Sequence, residues 1–155
     1  MKTDIEEYLA SYYYAKKSLR KLAVELLAVK DLYEDAANTL RGTDFTEIKV
    51  KTNNISDPVI KAAEIRFKIW ESELRDIERK VEMDMQTISN IDSLIMAAGL
   101  DGREREYIEI RYFERGNVSG SAEYTQKKMN YEHTWADHIK KLALEKIKAI
   151  MQNNG

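Results

Sequence analysis

Two long seams of almost wholly apolar residues constrain this chain more than any other feature. Ile5, Tyr8, Tyr12, Ala15, Leu19, Leu22, Leu26, Val29, Tyr33, Ala36 and Leu40 follow one another at spacings of three and four. Ile60, Ala63, Phe67, Trp70, Leu74, Ile77, Val81, Asp84, Ile88, Ile91, Ile95 and Ala98 repeat the pattern. Alternating three and four keeps side chains on one helical stripe, so each seam predicts a long helix whose stripe a partner must cover. A helix over residues 4–40 would run roughly 55 Å at 1.5 Å per residue, too long to stand alone. Two seams of similar length joined by one linker favour an antiparallel helical hairpin over residues 1–100. A parallel dimer pairing like helix with like helix has the same pattern.

Local signals mark the ends of these helices. Thr3 with Glu6 forms a T-x-x-E capping box, Arg41-Gly42 stops the first helix, and a polar linker occupies about 41–56, with a brief alternation at Phe45, Ile48 and Val50 that reads as a short extended piece. Ser56-Asp57-Pro58 opens the second helix, with Asp57 as cap and proline at its favoured first position, and Gly99 ends it. Asp84 is the one charged residue in a seam seat, which reads as a device for register or dimer choice.

The remaining third, 101–155, reads as a compact tri-helical unit. Asp101 with Glu104 makes a second capping box, and a helix over Arg103 to Glu114 buries some of Tyr107, Ile108, Ile110, Tyr112 and Phe113. The carboxylates Glu104, Glu106 and Glu109 stand among arginines at helical spacing, the pattern of a solvated face. After Arg115-Gly116-Asn117, Ser119 or Ser121 caps a helix to about Met129, and Asn130 stands where a left-handed turn residue is wanted. A last helix runs to about Ile150. Its Ala136, Ile139, Ala143 and Ile147 share one face; at about 100° per residue, Thr134, Asp137, His138 and Lys141 fall opposite, with His133, Lys140 and Lys148 nearer the flanks. Helix, left-handed turn and helix together make a helix-turn-helix.

That motif assigns roles by geometry. Early residues of its second helix reach base edges in the major groove, while flanks and the first helix hold phosphates. His133, Thr134, Asp137 and His138 are therefore the candidate base contacts, and Lys127, Lys128, Lys140, Lys141 and Lys148 the candidate phosphate contacts. Trp135, beside Leu142 and Lys146, is expected to dock this helix against its neighbours. The triplet Tyr12-Tyr13-Tyr14 places one ring on the seam and leaves Tyr13 and Tyr14 off it, for peripheral packing, the more common role of such a pair, or for a second protomer or a polymerase subunit.

The helix end Tyr107-Ile108-Glu109-Ile110-Arg111-Tyr112-Phe113-Glu114, followed by Asn130-Tyr131 and Ala143-Leu144-Glu145-Lys146-Ile147, resembles region four of bacterial sigma factors. More closely, it is similar to small phage and prophage transcriptional regulators of the RinA/ArpU type. Where that pattern has an Ile-Ala pair, Gly, Ser and His, this chain has Thr125 and Gln126, Asn130, Glu132 and Lys140. The resemblance covers about the last hundred residues. It implies a regulator that binds double-stranded promoter DNA of late or packaging genes in the cytoplasm of a bacterial host, with RNA polymerase as a further partner and a monomer or homodimer as the working form. It does not distinguish activation from repression.

Composition narrows the other classes. With 34% charged and 43% hydrophobic residues, one proline and six glycines, the chain is expected to be all-α, and no apolar run approaches a membrane span. No cysteine is present, which excludes disulfides, thiolate catalysis and cysteine-bound zinc. His133 and Asp137, four apart, are two ligands without a third nearby and so fall short of a metal site, and no nucleophile, acid–base pair or glycine-rich phosphate loop is evident. We expect no enzyme activity, cofactor, metal or small-molecule substrate. Residues 103–155 carry 10 basic and 8 acidic side chains against 15 and 19 in residues 1–102, so any DNA contact rests on where particular lysines stand. Two alternatives remain: a DNA-packaging component resembling a small terminase subunit, and a protein-only adaptor that has lost DNA.

Overall fold

The computed structural model describes residues 2–43 and 57–153, and the described secondary structure is entirely helical. In chain order it comprises α1 (Lys2–Thr43), α2 (Asp57–Ala98), α3 (Gly102–Ile108), a π turn (Glu109–Glu114), α4 (Ser121–Met129) and α5 (His133–Asn153). The linker piece around Phe45, Ile48 and Val50, and the side chains of Thr3 and Asp57 expected as caps, lie outside the described residues. Among the described residues no helix is long and apolar enough to cross a membrane.

Both seams are covered. Every seat named in α1 and in α2 is buried or half-buried. The chain groups into two compact units, Arg20–Glu82 and a second made of Met1–Leu19 with Met83–Gly155. In the first, Leu22, Val29 and Ile77 are buried, with Leu26, Trp70, Leu74 and Val81 packed on them. Tyr33 lies against Phe67, ring centroids 4.9 Å apart, and the residues around Ala36 meet those around Ala63. As numbers rise along α1 they fall along α2, so the two helices are antiparallel within this unit. Val24, Leu27, Ile65 and Ile69 lie off the seams and remain exposed.

The second unit is built around Ile5, Leu9 and Tyr12 of α1 and Ile91 and Ile95 of α2, with Tyr107, Ile108, Tyr112 and the inner face of α5. Here the buried face of α1 is wider than its seam, because Leu9 and Ala10, outside the three-four pattern, are also buried. A second neighbour causes this widening: Leu9 shares a cluster with α5 as well as α2. Asp84 holds a half-buried seam seat with its Oδ2 buried and unpartnered.

Several local expectations change. The helix expected through Glu114 is α-helical only to Ile108 and then widens into the π turn. Tyr107, Ile108, Ile110 and Tyr112 are all buried, and at about 100° per residue Ile110 and Tyr112 point to opposite sides of a helix. The segment is therefore enclosed on more than one side, and the extra residue of the π turn shifts the register of the chain beyond it. Glu104 is not solvated but 2% exposed. Its backbone N–H donates to Asp101 Oδ1 at 2.8 Å, its Oε1 accepts the Asp101 N–H at 3.1 Å, and Lys146 Nζ donates to the same oxygen at 2.6 Å. The Glu104 N–H, bonded to it, holds the Asp101 carboxyl below its ordinary range. Neither Ser119 nor Ser121 caps α4. Gly120, left-handed at φ 83°, takes that position, and the buried Ser121 hydroxyl donates to the Val118 carbonyl at 2.6 Å.

Tyr13 is half-buried rather than free, and α1 approaches closely at Gly116, whereas Tyr14 stays 49% exposed. Gly116 has φ +62°, and a Cβ there would stand 2.7 Å from Tyr13 Cδ1. Gly116→Ala should therefore cost about 1–3 kcal/mol, from backbone strain plus overlap with a ring held in place. Gly102→Ala, inside α3 with nothing within 4 Å of its Cβ, should be neutral or slightly stabilising. Thermal unfolding of both variants distinguishes a local steric effect from a general intolerance of glycine loss.

Candidate nucleic-acid interface

The helix-turn-helix begins with α4, whose inner side is small and self-satisfied: Thr125 is fully buried and its hydroxyl donates to the Ser121 carbonyl at 2.7 Å. That bond lets a threonine replace an aliphatic residue without leaving a polar atom unpaired. Asn130 then adopts φ 57°, and the Tyr131 N–H reaches back to the Gln126 carbonyl at 3.1 Å, closing the left-handed turn. The carbonyl of Glu132 accepts from Ala136 N at 2.9 Å and α5 begins there.

On α5, Ala136, Ile139, Ala143 and Ile147 are the buried residues. His133, Thr134, Asp137, His138, Lys141 and Lys148 are exposed, so one outward face holds all four candidate base contacts and two of the candidate phosphate contacts. His133 Nδ1 lies 3.1 Å from Asp137 Oδ2, one turn apart at the start of the helix. Lys127 is exposed on α4. Lys128 is exposed too, but its Nζ donates to Glu114 Oε2 at 2.8 Å and stands over the Tyr124 ring, and the Glu114 bond pushes its pKa up.

Lys140 stands apart from the other lysines. It is half-buried, with Nζ 2.8 Å from Glu6 Oε1, and the same carboxylate oxygen accepts the Tyr112 hydroxyl at 2.7 Å. Burial raises the Glu6 pKa, but the bonds from Lys140 and Tyr112 outweigh it and hold the carboxyl below the ordinary glutamate range. Burial, reinforced by Glu6, pushes the Tyr112 phenol far up. The sequence places Glu6 in a capping box and carries no signal for this tie, which joins residues more than a hundred positions apart. Trp135 does not dock the helix inward. It is 44% exposed and stacks on His138, centroids 5.4 Å apart and planes 30° apart.

Compared with protein-family models, with curated proteins and with solved structures, the chain matches none.

Glu6 gives the fold a pH dependence. Its folded-state pKa is depressed, so its contribution is fully present above the unfolded value of about 4.3 and is lost as pH falls through the folded value. Glu6→Gln should cost about 1 kcal/mol at neutral pH and lose this acid-limb component. Urea unfolding of both proteins across pH 3 to 7 measures it; parallel profiles would remove Glu6 from the account.

Proposed function

We propose that this protein is a sequence-reading DNA-binding regulator, of the phage or prophage kind its C-terminal sequence resembles, and not an enzyme. The observation that carries the reading is the outward face of α5. A left-handed turn at Asn130 leads into a helix anchored by four buried apolar residues, and its first turns present Thr134, Asp137 and His138 to solvent. Such an element fits the major groove, where early residues meet base edges. His133 joins them at the helix start. Lys127, Lys141 and Lys148 are the proposed phosphate contacts, with Lys128 available when it exchanges Glu114 for a phosphate. Lys140, tied to Glu6, is proposed to hold α5 in place instead.

The Arg20–Glu82 unit is proposed as the surface for self-association or for RNA polymerase, since it exposes Val24, Leu27, Ile65 and Ile69 outside its seam. The packaging alternative demands a closed ring, so mass in solution separates it from a monomer or dimer.

With about three phosphate contacts, log affinity should fall against log salt with a slope near −2.7, and Lys127→Ala with Lys141→Ala should flatten it by about 0.9 each. Lys140→Ala should instead lower stability and leave the slope nearly unchanged. Titration of fluorescent duplex DNA at several salt concentrations tests the assignment. Salt-independent binding, or no binding at all, would sink it.

A further inference from the structure

We propose that Trp135 is a specificity-determining residue of this face and that it reads the 5-methyl group of thymine. The inference rests on the DNA-binding reading above. An indole is among the side chains that gain most from burial, yet Trp135 is 44% exposed while the next residue, Ala136, is buried. Its ring stacks on that of His138, at 5.4 Å between centroids and 30° between planes. Leu142, 39% exposed one turn beyond His138, extends an apolar flank along α5. The other flank carries Asp137, Lys141 and Lys148.

The major groove displays hydrogen-bonding atoms on every base pair and one apolar group, the thymine methyl. A large ring, already ordered by stacking and placed in the first turn of the helix, meets such a group at little cost in rotamer freedom. An aromatic and a leucine at helical spacing would also serve a protein partner. Trp135, however, adjoins Thr134 and stacks on His138, both on the proposed base-reading face, and this continuity favours DNA.

The test uses the full chain. Duplexes selected from randomised DNA are remade with uracil for thymine, one position at a time, and affinities are measured for the wild type, Trp135→Ala and Trp135→Phe, with circular dichroism confirming helicity. Wild type should bind about four-fold more weakly at each contacted methyl that is removed. Trp135→Ala should bind the thymine duplex more weakly and be indifferent to the same replacement, and Trp135→Phe should keep part of the sensitivity. DNA binding in which wild type and Trp135→Ala respond alike to uracil overturns the role of Trp135 and leaves the DNA reading intact. A wild-type chain that enriches no DNA overturns both, and the flank would then belong to a protein partner.

Discussion

The inner face of α5 can leave water only by closing on a cluster to which α1 and α2 also contribute. Ala136, Ile139, Ala143 and Ile147 share their core with Ile5, Leu9 and Tyr12 near one end of the chain and with Ile91 and Ile95 near the end of α2. Two of the four α5 residues are alanines, which allow close approach but contribute little apolar area themselves. The larger side chains facing them must supply the rest, and several belong to α1. The last helix therefore shares its core with the long helices as well as with Tyr107, Ile108 and Tyr112. Its stability is tied to a segment more than a hundred residues away in sequence, and this explains why the first turns of α1 bury Leu9 and Ala10 beyond the regular seam.

On that apolar base, two ion pairs fix the helix. Lys140 meets Glu6 of α1, and Lys146 meets Glu104, which simultaneously caps α3. Glu104 is almost wholly buried, and its Oε2 has no partner, so it carries a desolvation cost that the two bonds to its Oε1, from the Asp101 N–H and Lys146 Nζ, offset. Such a group contributes more to register than to net stability: it works only when α5 stands at one height against α3. The lysines of α5 thereby divide by duty. Lys140 and Lys146 hold the helix, whereas Lys141 and Lys148 stay on its outward face.

The seams were legible because three-four spacing has one physical meaning, and every seat is at least half-buried. So were the Asp101–Glu104 box, the left-handed Asn130 and the buried face of α5, since each depends on residues within a turn or two of one another. What escaped was tertiary. Nothing near Glu6 announces Lys140, and Glu104, placed among arginines, looks like any solvated carboxylate until a lysine arrives 42 positions later. The π turn escaped because apolar residues on several faces of a helix are read as one amphipathic face with noise. Trp135 misled because size and hydrophobicity argue for burial, whereas its phase on α5 sets it at the edge of the outward face.

With Lys140 and Lys146 engaged, few cations remain near the first turns of α5, and Asp137 among them opposes phosphate. A single module of this kind would bind DNA weakly, and base contacts would carry an unusual share of its affinity. Two modules held together convert the second binding event into an intramolecular one, with gains of about a hundred-fold or more and no new contact. The exposed apolar residues of the Arg20–Glu82 unit are where a self-association of that sort would be built. On this reading the long antiparallel helices and the cation-poor reading face are complementary: weak modules discriminate among sequences, and pairing restores the affinity that each one lacks.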